Sequence, residues 1–226
     1  MHNKVTGIIL LAGNSTRYGK NKNLERIDNK FVFLYSLDTF HNNNYIDDII
    51  LVVRESDSNL INDIIKEHNY TKSIKLVIGG STRMESVYNA LVKTNSDLVV
   101  IHDAARPMIK DEYISNCIES LSKYKGVITG VKVKDTIKIT NDFGEIIEST
   151  NRINTYIGQT PQAFYKDLLL KLHLKYQKDL NITDDAMLLE KDGYKIKIIN
   201  GDYTNIKITT PEDLTIAKVY IKSLKK

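Results

Sequence analysis

Two residue types that staple or punctuate a chain are scarce here: one cysteine and three prolines in 226 residues. The lone Cys117 forbids an internal disulfide and excludes a Cys-rich zinc site. It suits a reducing compartment, so a cytoplasmic protein is expected. Pro107, Pro161 and Pro211 lie in no low-complexity linker, and no internal repeat is visible. The chain therefore reads as one domain over residues 1–226 with one possible excursion. No apolar run approaches the roughly 20 residues that a membrane span needs. The opening MHNKVTGIILLAGN is too short in its apolar part and runs into a polar loop without a small-residue cleavage site, so it reads as a first strand rather than a signal peptide. A surplus of charge is also missing. Lys plus Arg number 32 against 28 Asp plus Glu, a net +4 without a basic run. That gives no reason to expect nucleic acid, and it suits a small anionic substrate. Neither GxGxxG nor GxxxxGK[ST] occurs, which removes the dinucleotide fingerprint and the Walker A loop.

What is present is an ordinary globular balance, 42% hydrophobic and 27% charged, with enough apolar material for one sizeable core. Short continuous apolar runs alternate with helix-spaced segments. Strands are expected at 5–11, 48–53, 75–78, 97–101 and 126–133. Helices are expected at 31–40, 59–68, 84–92 and 112–124. Continuous rather than alternating apolar strands, separated by helices, imply an α/β fold. It would be a mostly parallel sheet with helices on both faces. The pattern changes between residues 134 and 157, where an Asn-Asp-Phe-Gly turn joins two strand-like runs. A β-hairpin arm at about 135–155 is expected there.

In a parallel sheet, ligands bind beyond the carboxyl ends of the strands. Three polar, Gly-containing segments follow strand ends: residues 12–22, 79–86 and 102–107. In the first, small residues precede Arg17, Lys20 and Lys22. Backbone N–H groups and cations of this kind can cradle phosphate, although a Gly-bearing turn with solvated basic residues explains the loop equally well. In the second, Ser81 or Thr82 can cap a helix, and Ser86 on its first turns would face the cleft. In the third, Asp103 ends an apolar strand as an oxygen ligand suited to Mg²⁺, and Arg106 can pair with a phosphate or with Asp103 itself. His102 is read as structural. Further along, Thr183-Asp184-Asp185 opens a helix with acids in its first turn, which capping alone explains. Lys207 lies between Ile206 and Ile208 in a strand-like run and so points away from its apolar neighbours. Pro211 begins the last helix at a good N1 position.

AGxxxR followed by a Lys, GGxxRxxS, HDAARP, KDTIK, QTPQxF, TDDAxxxE and GxxxNIKITTPEDL stand in this order along the chain. The ordered series, from about Gly7 to Ala217, resembles the 2-C-methyl-D-erythritol 4-phosphate cytidylyltransferases. The resemblance implies a Rossmann-like nucleotidyltransferase domain with a β-arm. It implies transfer of CMP from CTP to the sugar-alcohol phosphate with release of pyrophosphate, in isoprenoid precursor synthesis. Ala12, Gly13, Ser15, Arg17 and Lys22 would cradle the triphosphate, with Arg17, Lys22 and Lys207 catalytic. Gly80, Ser86, Ala104 and Arg106 would form the cytosine and ribose pocket. Asp103 would hold Mg²⁺. Thr136, Arg152, Thr160, Thr183 and Thr209, together with Lys207, would contact the sugar phosphate. The arm would make a homodimer and carry Arg152 into a partner's site.

Leu11, Ser15 and Tyr18 depart from the family's usual loop. Leu11 would crowd the base pocket, and a positive φ at Ser15 would cost about 1 kcal/mol. Lys20 rivals Lys22 for the catalytic role. The close relatives acting on ribitol 5-phosphate are the alternative of the same chemistry. A non-catalytic CTP-sensing protein on this fold is the alternative from another class, supported by the three odd loop residues. A nicotinamide dehydrogenase is disfavoured by the missing fingerprint.

Overall fold

The computed structural model describes residues 3–13, 18–179 and 181–224. In chain order β1 spans Val5–Leu10, and a small ribbon follows from β2 (Arg26–Ile27) and β3 (Lys30–Phe31). Next come α1 (Val32–Asn42), β4 (Asp48–Val53), α2 (Ser58–Lys66) and β5 (Ser73–Ile78). They are followed by α3 (Arg83–Leu91), β6 (Leu98–Asp103), α4 (Asp111–Ser120) and β7 (Gly126–Lys132). A hairpin of β8 (Lys138–Thr140) and β9 (Ile146–Ser149) precedes β10 (Tyr156–Tyr165) and α5 (Lys166–Lys175). The chain ends with α6 (Asp185–Lys191), β11 (Ile196–Asn200) and α7 (Pro211–Leu224).

Seven strands form one sheet in the order β11-β7-β10-β6-β1-β4-β5. All neighbours pair in parallel except β10, which runs antiparallel to both β6 and β7. The fold is α/β with a mostly parallel sheet. Period-2 alternation divides each central strand between two cores. Val5, Ile9, Ile49, Leu51 and Val100 pack with α1, α2 and α4 on one face. Ile8, Ile50, Val52, Val99 and Ile101 pack with α3, α5 and α6 on the other. Burying both faces explains why these strands carry no polar alternation; each such side chain contributes about 1.5–3 kcal/mol on burial. Gly7 on β1 is needed for close approach, since a Cβ there would lie 2.4 Å from the Phe40 ring. A third cluster seats α7 through Leu214, Ala217 and Ile221 against Tyr18, Ile27, Val32 and Ile208.

The expected strands and helices are all present, with ends shifted by up to four residues. The sequence reading did not anticipate β10, α5 or β11. In β10 the obstacle is Pro161, which argues against a central strand because it cannot donate to a ladder. The strand tolerates it at a register irregularity between Gln159 and Gln162. The run around Lys207 is not a strand but an extended segment hydrogen-bonded through Ile208 N to Ala105 O at 2.8 Å. The hairpin turn forms where expected: Asn141 Oδ1 accepts from the N–H groups of Phe143 and Glu145, and Gly144 takes φ +80°.

Candidate active site

The parallel strands deliver their carboxyl ends to one edge of the sheet. Leu10 and Asp103 are register partners at the ends of β1 and β6. The ladder continues past them, with Leu11 N donating to Val52 O, Ala104 N to Leu10 O and Gly79 N to Val53 O. The loops that leave these strands therefore start side by side. They enclose a cavity of about 330 Å³ whose wall includes Ala12, Gly13, Lys22, Gly80, Asp103 and Lys207. Arg83, Ser86, Ala105 and Thr209 also face it. A cleft of this size, set at strand carboxyl ends, matches the usual position of a nucleotide site in such sheets.

Each wall has a local cause. Thr82 caps α3 by accepting from Glu85 N at 3.1 Å, and Glu85 turns back to accept from Ser81 N at 2.6 Å. Gly80 permits that turn, because a Cβ there would come within 2.3 Å of the Glu85 Cβ. Ser86 accepts from Gly80 N and donates to Thr82 O, which holds the glycine backbone against the helix. Buried Asn23 donates to Leu11 O at 3.0 Å, pinning the segment that carries Lys22 to the end of β1. Arg54 donates to Gly13 O and braces the same loop. On the far side Ile208 is fully buried while Lys207 turns outward, so the alternation read from the sequence survives without a strand.

Asp103 is the electrostatic centre. Lys207 Nζ lies 2.6 Å from its Oδ2, and Arg83 Nε lies 3.8 Å from its Oδ1. Burial pushes the Asp103 carboxyl up, but Lys207 and then Arg83 overcome this and hold it below the usual carboxylate range. Arg83 also reaches Asp185 Oδ2 at 2.7 Å. Burial opposes its charge, yet Asp185 and Asp103 together raise its pKa. His102 behaves as expected of a structural residue. Its Nε2 lies 3.2 Å from Arg106 O and its Nδ1 lies 2.9 Å from Thr160 Oγ1. A carbonyl only accepts, so Nε2 carries the proton and the Thr160 hydroxyl donates to Nδ1. Burial, the leading cause, brings the His102 pKa down to about 3.

The structure brings Ala12, Gly13, Lys22, Gly80, Ser86, Asp103, Thr209 and Lys207 to one cleft. Ser15 and Arg17 lie outside the described residues. Lys22 faces the cleft, whereas Lys20 pairs with Glu25 at 2.6 Å on the outside. Several expected contacts are placed elsewhere. Ala104 is fully buried, and it is Ala105 that faces the cavity. Arg106 does not pair with Asp103; its guanidinium donates to Asn205 O at 2.8 Å and braces the segment before Lys207. The buried Thr160 hydroxyl accepts from Asp103 N at 3.1 Å and serves His102, so it holds β6 rather than facing the cavity. Thr183 is exposed and off the cleft, and the residue capping α6 is Asp184, which accepts from Met187 N at 3.0 Å. Thr136 and Arg152 stay exposed on the arm side, with Arg152 donating to Lys134 O at 3.3 Å. Leu11 does not crowd the cleft: it is buried in a core cluster, pointing opposite to its cleft-facing neighbours Leu10 and Ala12, and Tyr18, the other described departure, is buried in the cluster under the last helix. Arg83, Asn23 and Arg54 were missed. Arg83 stands in the GGxxRxxS run, the one signal that could have found it.

The sequence model of the 2-C-methyl-D-erythritol 4-phosphate cytidylyltransferase family matches residues 5–223. The chain belongs to this family. A relative from Clostridium tetani, named 2-C-methyl-D-erythritol 4-phosphate cytidylyltransferase, is 44% identical over 223 residues, covering 97% of this chain and 91% of its own. A crystal structure of a 4-diphosphocytidyl-2C-methyl-D-erythritol synthase from Anaerococcus prevotii superposes with a TM-score of 0.88 at 36% identity, covering 98% of this chain and all of that one. The cytidylyltransferase from Francisella tularensis gives a TM-score of 0.80 at 27% identity, covering 96% and 99%. Membership ties the cleft to a chemistry that the cations at its wall are suited to serve.

Proposed function

We propose that this cytidylyltransferase-family chain moves CMP from CTP to 2-C-methyl-D-erythritol 4-phosphate, giving the cytidine diphosphate derivative and pyrophosphate for isoprenoid precursor synthesis. The observation that carries the reading is the convergence of Lys22, Lys207 and Arg83 on one cleft around Asp103. A phosphate oxygen of the sugar phosphate attacks the α-phosphorus of CTP, the bond from that phosphorus to the β-phosphate oxygen breaks, and pyrophosphate leaves with the electron pair. The attacking phosphate is already ionised near neutral pH, so no side chain need act as a base. The protein positions two anions and neutralises developing charge. Lys22 and Lys207 supply preorganised cations for this. Gly80 and Ser86 would serve the nucleoside side of the cleft, and Arg17 and Ser15 would join in binding the triphosphate.

Mg²⁺ binds through one or two carboxylates plus substrate phosphate oxygens. Asp103 is the one carboxylate among the described residues lining the cleft, and no cluster of three or more His, Cys, Asp or Glu suited to a metal occurs among the described residues. The donor set thus fits an ion shared with phosphates. Asp103 would hold it, and the ion would add charge neutralisation at the phosphoryl oxygens. Lys207, which occupies Asp103 Oδ2, would then be released towards a substrate phosphate.

The arm supports assembly as a homodimer. Ile146, Ile147, Phe143 and Ile153 are all more than 60% exposed on or beside the hairpin, an apolar surface that a second copy would cover. Arg152 would reach a partner's cleft from there. No helix among the described residues is long and apolar enough to cross a membrane, in keeping with a cytoplasmic enzyme.

The test is pyrophosphate release from CTP with each sugar phosphate in turn. Turnover with methylerythritol 4-phosphate is expected. Turnover confined to ribitol 5-phosphate, or CTP binding without turnover, contradicts the reading.

A further inference from the structure

Behind Arg83 lies a buried pair that the proposed chemistry does not use. His173 on α5 and Asp185 on α6 have side chains 1% and 2% exposed, with His173 Nε2 3.1 Å from Asp185 Oδ1. A carboxylate can only accept, so the imidazole donates through Nε2. Among the described residues its Nδ1 meets no hydrogen-bond partner, so the ring's polar contact there is directed at Asp185. The surroundings are apolar: Leu169, Leu172, Leu188 and Leu189 belong to the same buried cluster. A polar ring in such a place costs stability that leucine would not, unless its partner needs the donor.

Asp185 does need it. Its second oxygen lies 2.7 Å from Arg83 Nη1 in an ion pair that falls outside hydrogen-bond geometry, so the guanidinium charge is what offsets the burial of that oxygen, and a buried carboxylate without it is penalised heavily. Held this way, the Arg83 guanidinium stands 3.8 Å from Asp103, while Lys207 closes to 2.6 Å on the other oxygen. Without the grip of Asp185, only the weaker pull of Asp184 on that side would oppose Arg83 closing on Asp103 as a tight, fork-shaped pair. Asp103 would then be neutralised in place and unavailable to the cleft.

We propose that His173 and Asp185 are positioning residues that hold Arg83 at the cleft wall and off Asp103. The proposal rests on the cleft being the site of cytidylyl transfer. His173 orients Asp185, Asp185 holds Arg83, and Arg83 keeps a set distance from the carboxylate that the reaction uses.

The experiment is a double-mutant cycle in steady-state kinetics, with thermal unfolding followed in parallel. His173→Leu and Asp185→Asn should each lower kcat about tenfold, as loss of an outer support to a site group does, and leave KM for CTP within about twofold. His173→Gln, whose amide nitrogen can occupy the Nε2 position, should recover most of the rate. The double variant should be no slower than the slower single, because both act through one contact. Should His173→Leu not fold, His173→Asn, polar but too short to present a donor at the Nε2 position, takes its place. Wild-type kcat in a folded but thermally weakened His173→Leu overturns the proposal, since packing alone would then explain the residue. So does a double variant slowed by the product of the two single effects. An inactive wild-type enzyme would instead overturn the functional reading beneath it.

Discussion

Replacing Lys207 by methionine keeps the length and packing of the stem and removes the charge. Two consequences can be sized separately. The first is stability. The Lys207–Asp103 pair is close, but Lys207 is 40% exposed, and Asp103 at 12% exposure keeps Arg83. Exposed pairs are worth about 0.2–1 kcal/mol, whereas breaking a fully buried pair costs about 3–5 kcal/mol. The arrangement lies near the lower figure, at about 1 kcal/mol, which for a chain of this size lowers Tm by about 2–4 °C. The second is rate. A preorganised charge lost from the transition state costs about 10²–10³ in kcat. Under the proposed role Lys207 would give up its Asp103 contact to meet a phosphate, and that exchange would take back part of the gain, so a loss of about 10² is expected. Pyrophosphate release at saturating substrates, measured well below Tm, separates the two effects. Lys207→Met combined with Asp103→Asn should regain most of the lost Tm and none of the rate. A folded Lys207→Met enzyme within about threefold of wild type would refute the assignment of Lys207 to the reaction.

The cleft carries Lys22 while Lys20 is paired with Glu25, so Lys22→Ala should lose about 10²–10³ in kcat and Lys20→Ala should remain near wild type; the reverse ranking in the pyrophosphate assay would exchange the two roles. Asp103→Asn keeps the size and loses the charge that a hard cation favours, so its Mg²⁺ titration of activity should shift to higher concentration, and an unchanged curve would leave Asp103 a structural partner of Lys207 and Arg83. If Arg152 serves a partner's site, mixing Lys22→Ala with Arg152→Ala chains under exchange should restore activity to about a quarter of wild type, since half the dimers are mixed and half their sites intact; no recovery from dimers shown to have exchanged would place the whole site in one chain. The Asp185 carboxyl is pushed up by burial but held below its ordinary 3.8 by Arg83 and His173, so its contribution to stability is full above that ordinary value and is lost as pH falls below it, through the lower folded-state pKa; chemical denaturation should show a shallower acid decline for Asp185→Asn, and parallel declines would contradict the pairing.

The features legible in the sequence are those that local pattern determines. Continuous apolar runs such as DIILVV betray strands covered on both faces, and the polar segments after them mark the cleft because strand direction alone sets where they meet. What was illegible depends on side-chain parity or on distant partners. Leu10 and Leu11 differ by one position, and that parity decides which faces the cleft and which enters the core. Arg106 stands three residues from Asp103, yet its partner is Asn205, brought close when the segment around Lys207 docks on Ala105 through Ile208. The Asp pair at 184–185 reads as helix capping. Asp184 does cap, but Asp185 turns inward to Arg83 from a helix a hundred residues away in sequence. The strand β10 was hidden by Pro161, and only the irregular register that accommodates it makes the strand possible.

The central claim is that a sugar phosphate attacks the α-phosphorus of CTP in the cleft around Asp103. Its most direct test uses methylerythritol 4-phosphate labelled with ¹⁸O in the non-bridging phosphate oxygens, with products read by ³¹P isotope shifts and mass spectrometry. The account predicts that the cytidine diphosphate product keeps every labelled oxygen, one of them bridging the two phosphorus atoms, and that pyrophosphate carries none. Label in pyrophosphate, or a bridging oxygen without label, would contradict it.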